Sequence, residues 1–150
     1  MTISTTEFVR RLHEHGSESI LVRGRRAPTG TIDDTATLDP GTVAALYGDH
    51  LRLPLYVTVP TTDGRKQRQF STSSFADAIE GAERMLTDHA PDNVWIRNHA
   101  QLVGALAPVT VGLLEARLAR IATDIDATLV TWTETSTPAN DRLYDSVVEP

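Results

Sequence analysis

Asp63-Gly64 constrains this chain more than any other pair, because it sits between two stretches of β-forming residues and takes positive φ at low cost. Before it, Leu51, Leu53, Leu55, Val57 and Val59 occupy every second position, with Arg52, Pro54, Tyr56, Thr58 and Pro60 between them. That period of two predicts a hairpin over 51–72 with one buried and one wet face. With Thr62 opposite Arg65, the inward pairs become Val59 with Arg68, Val57 with Phe70 and Leu55 with Thr72. The outward pairs become Tyr56 with Ser71, Thr58 with Gln69 and Pro60 with Gln67. Pro54 and Pro60 lack an N–H and suit an edge or a bulge.

A helix is expected next, with Ser74 as N-cap and Asp77 three residues on. Phe75, Ala78, Ile79, Ala82, Met85 and Leu86 recur at helical spacing, and Glu80 precedes Arg84 by four on the outer side. Such a helix covers the apolar face of the hairpin. Pro91 in DHAPDN stops it, and a short apolar strand is expected near 94–97.

Towards the N-terminus, Ser4-Thr5-Thr6-Glu7 forms a capping box with Ile3 and Phe8 as staple, and Gly16 ends that helix. His13 and His15 are two apart on it and point in different directions, so they make no metal pair. A strand is expected over 19–23. Residues 24–40 carry no sustained period and read as a loop, a length that is functional, mobile or conceals a short strand around Thr35 to Leu38. Asp39 then reads as the cap of a short helix with Pro40 in its first turn, Val43, Leu46 and Tyr47 as its apolar side, and Gly48 as its stop.

Beyond the central unit, Asn98 opens a helix interrupted at Pro108 and restarted near Thr110. In the second part Val111, Leu114, Leu118, Ile121 and Ile125 fall at steps of three and four, a seam that packs on the sheet or on a second copy of itself. Strand 127–133, ATLVTWT, is rich in β-branched residues. Residues 135–150 are acidic and polar around Leu143 and Tyr144, and read as a flexible or docking tail on a single domain over 1–134.

With 150 residues the chain has the size of one domain. The element order predicts an α+β fold: a mixed or antiparallel sheet from hairpin 51–72 and strands near 19–23, 94–97 and 127–133, with helices mainly on one face. A net charge of -6 disfavours general polyanion binding but leaves room for a local basic face. The absence of cysteine removes disulfides and thiolate chemistry. No signal-like or membrane-spanning apolar run is found, so a cytoplasmic chain without membrane contact is expected.

Three functional readings follow. The hairpin with its outward Arg52, Tyr56, Arg65, Gln67 and Gln69 resembles the three-stranded-sheet DNA-binding domains of AP2-type factors and integrase arms, a resemblance that implies nucleic-acid contact through that face. Lys66 and Arg68 fall on the other side, which divides the cations. Separately, Arg23 in LVRG and Ser71-Thr72-Ser73 look like the arginine and STS elements of ADP-ribosyltransferases. That family needs a glutamate preceded two positions earlier by Glu or Gln, whereas Leu113, Trp132 and Val147 precede Glu115, Glu134 and Glu149. Catalysis would require convergence among His50, His89, His99, Arg23 and Glu134, and no catalytic, metal or cofactor residue is assigned. The leading expectation is a small accessory protein, of immunity, phage or plasmid type, that binds another protein or itself. Its candidate interface is Val111, Leu114, Leu118, Ile121, Ile125, Leu143 and Tyr144.

Overall fold

A computed structural model of the protein describes residues 19–23, 35–40, 45–47, 50–52, 55–70, 75–97, 99–105, 108–133 and 141–148. The strands are β1 (Ser19–Arg23), β2 (Thr35–Pro40), β3 (Ala45–Tyr47), β4 (His50–Arg52), β5 (Leu55–Thr61), β6 (Gly64–Phe70), β7 (Asn93–Ile96), β8 (Thr128–Thr133) and β9 (Ser146–Val148). The helices are α1 (Phe75–His89), α2 (His99–Ala105) and α3 (Pro108–Asp124), with a 3-10 turn at Asp141–Leu143. The expected N-terminal helix with His13 and His15, and the loop over 24–34, lie outside the described residues.

Seven strands form one mixed sheet in the order β6-β5-β2-β7-β8-β1-β9. The pairs β2–β7, β7–β8, β1–β8 and β1–β9 are parallel, and the hairpin joins antiparallel through β5 to β2. The fold is α+β, as the element order predicts. Its middle strands carry short continuous apolar runs, SILV, VWI and LVTW, because a central parallel strand is buried on both faces.

One face lies under the three helices. Leu38, Val57, Val94, Ile96 and Leu129 from the strands join Ile79, Leu86, Leu114 and Leu118 in a single core cluster. Each such side chain contributes about 1.5–3 kcal/mol by leaving water. The other face holds a smaller buried cluster of Ile20, Val22, Trp95, Val130 and Trp132. The two indoles meet edge to face at 4.6 Å between centroids.

The hairpin forms with its register moved by two. Thr61 pairs with Gly64, so Thr62 and Asp63 make the link, and Val57 faces Arg68 while Leu55 faces Phe70. Gly64 takes φ 139°, which accounts for glycine at that point. A slip of two leaves every side chain on its expected face, since the side-chain period is two. The first strand also divides, with β4 separate from β5. Pro60 lies beyond the residues of β5 that pair with β2, where its missing N–H costs no ladder bond on that side.

Two further expectations need correction, and one open reading is resolved. The presumed loop does conceal a strand at its end, as its length allowed: β2 runs two residues beyond Leu38 and pairs with both β5 and β7. The short helix from Asp39 is replaced by β3, which pairs with β4 as a separate two-stranded ladder. Gly48, read as the stop of that helix, lies outside the described residues, between the paired Tyr47 and His50. The tail, finally, adds a strand to the sheet at Ser146–Val148, after the 3-10 turn Asp141–Leu143. β9 runs parallel to β1, and Ser19 and Asp145 exchange two bonds, Asp145 N–H to Ser19 Oγ at 3.0 Å and Ser19 N–H to Asp145 Oδ2 at 3.2 Å.

Helix α3 ends as its sequence does not advertise. Asp126 takes φ 59°, Ala127 N–H reaches Ala122 O at 2.7 Å and Asp126 N–H reaches Thr123 O at 3.2 Å, which together are a Schellman cap. Glu80 and Arg84 pair at 3.1 Å on the outside of α1, as expected, and Arg117 of α3 pairs with Glu83 of α1.

Candidate functional site

Polar groups converge most closely inside the molecule, between α2, α3, β8 and Tyr144, two residues before β9. His99 and Glu115 are 1% and 2% exposed, and Thr131, Thr133 and Tyr144 are buried beside them. His99 Nε2 stands 2.7 Å from Glu115 Oε1, off the line that a ring N–H donor needs, while its Nδ1 is 2.9 Å from Thr133 Oγ1. Tyr144 OH lies 2.9 Å from both Glu115 Oε1 and Thr131 Oγ1. A phenol has one proton and a carboxylate only accepts, so Tyr144 donates to Glu115 and receives a bond from the Thr131 hydroxyl. Burial, with the Glu115 charge adding to it, holds the Tyr144 phenol well above its ordinary value.

Each element contributes for a local reason. Glu115 lies on the buried stripe of α3, four residues after Val111 and three before Leu118. Thr131 and Thr133 alternate with Val130 and Trp132 along β8 and so share the helix side with Leu129. Histidine, carboxylate and phenol together have the makings of acid–base chemistry, but a substrate atom would need hydrogen-bond reach to one of them. Their polar atoms instead face one another behind the helices. The arrangement ties four elements together.

A second polar group lies on the opposite face, at the β2–β5–β6 corner. The register puts Tyr56, Thr58, Arg65, Gln67 and Gln69 on one side of the hairpin. Gln67 donates to Thr58 Oγ1 at 3.2 Å, and Arg65 Nη1 reaches across to Thr35 O at 3.0 Å. Arg97 joins this corner, its guanidinium 5.7 Å from the centre of the Trp95 ring. Burial lowers the Arg97 pKa, Asp39 opposes that shift and Arg65 adds to it, so two cations and one anion share the site.

The structure divides the sequence-derived candidates. Tyr56, Arg65, Gln67 and Gln69 stay together, whereas Arg52 belongs to β4 in the separate ladder. Val111, Leu114, Leu118 and Tyr144 are buried in this chain's own core, and Ile121, Ile125 and Leu143 pack against it. Those seven therefore do not form an exposed docking face. The outer side of α3 instead shows Val109, 84% exposed, and Leu113, 50% exposed. His99 is buried, His89 donates from Nδ1 to Met85 O at the end of α1, and His50 belongs to β4. Ser71, Thr72, Ser73 and Glu134 lie outside the described residues. Among the described residues no set of three metal-ligating side chains gathers, and no helix is long and apolar enough to cross a membrane.

Sequence reasoning missed the partnership of His99, Glu115 and Tyr144. Its signal was an ionisable residue on an otherwise apolar helical stripe, since such a residue needs a buried partner.

No protein-family model and no curated protein matches the chain. Among solved structures, the ribonuclease H1 of the halophilic archaeon Halobacterium salinarum NRC-1 is similar over 74% of this chain and 93% of that one, at 17% identity and a TM-score of 0.36. A likeness at that score fixes neither fold family nor activity.

Proposed function

We propose that the protein acts by binding another protein through the β5–β6 hairpin. The observation that carries this reading is the run Lys66, Gln67, Arg68, Gln69, four consecutive exposed residues on the outermost strand of the sheet. Strand side chains alternate between faces, so exposure of four in a row means that both faces and the rim between them are open. A partner in the form of a second copy docked along Val111 to Ile125 is disfavoured, since those side chains pack inward. The test places a photo-crosslinking residue at position 67, and a control at position 109, in the full chain within extracts of its source. Protein adducts specific to position 67 are expected. Adducts at neither position, or nucleic-acid adducts alone, would reject the reading.

Nucleic-acid binding is the second reading, favoured by the meeting of Arg65 and Arg97 beside Tyr56, Gln67 and Gln69. Asp39 offsets part of that charge. The reading expects oligonucleotide affinity that falls steeply with salt and drops on Arg65→Ala. Absence of any anisotropy change at low salt removes it.

A further inference from the structure

We propose that β6 is a docking edge for an acidic, extended segment of a partner protein, which adds to the sheet as a further strand. This rests on the protein-binding reading above and names the partner's chemistry. β6 is seven residues long, about 23 Å at ~3.3 Å per residue, and among the described residues no strand pairs with its outer edge. An antiparallel edge strand directs the N–H and C=O of every second residue outward, which is a template for one more strand.

Charge selects the occupant. Gly64–Phe70 carries three cations, Arg65, Lys66 and Arg68, and no anion, within a chain of net charge -6. The register sets Arg65 opposite Pro60 on one face and sets Lys66 and Arg68 opposite Val59 and Val57 on the other. Cations therefore stand on both sides of the strand. An incoming strand places its side chains on the same two faces, about 4.5–5.5 Å from their cross-strand neighbours, so carboxylates on the Lys66 and Arg68 face meet a cation, while Arg65 reaches inward to Thr35 O. Two β6 edges brought together would set cation against cation, which disfavours a second copy and selects an acidic stranger. Helix α1 leaves the site open: its Gly81 lies against Phe70 at the end of the strand, while 66–69 stay exposed.

The probe is a fluorescent peptide of about eight residues alternating Glu and Val, titrated at low salt into the full chain, with amide shifts read by NMR. Binding is expected to perturb amides of 64–70, to weaken roughly tenfold in Lys66→Glu/Arg68→Glu and to vanish when alternate peptide nitrogens are methylated. Both substituted side chains are exposed, so the variant is expected to keep the wild-type circular dichroism spectrum. No binding, equal binding of the methylated peptide, or shifts confined to other elements would overturn the proposal. So would tighter binding of a single-stranded oligonucleotide of equal charge at the same amides. Protein adducts at position 67 without binding of the acidic peptide would remove this inference and leave the protein-binding reading in place; failure of both experiments would remove both.

Discussion

Glu115 shows how one residue sets the terms for its neighbours. Buried at Oε1 between His99 and Tyr144, it lets a histidine and a phenol sit inside the core with partners. Glu115→Leu would remove the acceptor of the Tyr144 hydroxyl and leave the phenol only Thr131 to turn to, at a cost of about 1–3 kcal/mol. Glu115→Gln, which keeps an acceptor of the same shape, is expected to cost less, and urea midpoints distinguish the two. Tyr144→Phe removes a single hydroxyl from two hydrogen bonds and should cost about 1–3 kcal/mol at neutral pH.

The same tyrosine has a pH signature. Its native value is raised, so as pH climbs past the ordinary tyrosine range near 10, the unfolded chain loses the proton first and the native state binds more protons. The contribution is therefore whole below about pH 10 and declines above it. Tyr144→Phe should flatten that alkaline limb, measured as unfolding free energy against pH; a limb unchanged from wild type would count against the assignment. Glu115 sits between the seam residues Leu114 and Leu118 without being read as one of them, and its partners are 16 residues before it and 29 after it along the chain. No local pattern encodes such a meeting.

Elements were legible where one period ran long enough. α1 forms over the residues that its spacing marks, and β7 and β8 form where the apolar runs stand. The segment 39–52 was opaque because three-residue strands are too short to distinguish a period of two from one of 3.6. The hairpin register slipped for another reason: Gly64 serves equally as a turn centre or as the first residue of the returning strand. One helix end and one helix interior give two further tests. Asp126→Gly relieves a left-handed residue at the α3 cap and should raise stability by about 0.5–1 kcal/mol, read from thermal midpoints. Gly81→Ala should do the reverse despite a helix preference of about 1 kcal/mol, because its Cβ would fall 2.7 Å from Phe70 Cδ1. Overpacking of this kind costs about 1–3 kcal/mol, and Phe70→Leu in the double variant should recover most of it.

For the whole molecule, one sheet holds strands from near residue 19 to near residue 148. Unfolding is accordingly expected to be a single transition, with tryptophan fluorescence from the buried Trp95 and Trp132 and far-ultraviolet circular dichroism sharing one midpoint. Separate midpoints would show that 141–148 melts as its own unit. Composition hid this segment: its acidity suggested a loose end, while three things outside its own sequence, Glu115, Thr131 and the rim of β1, hold it.

The strand order also dictates a sequence of events during synthesis. β1 emerges from the ribosome early, yet both of its lateral neighbours, β8 and β9, are translated more than a hundred residues later, and Ser19 meets Asp145 across a separation of 126. Until then its backbone waits without a match. A nascent chain stalled anywhere before residue 128 would hold an apolar SILV segment with neither lateral strand yet made, which makes SILV a natural binding sequence for chaperones during that interval.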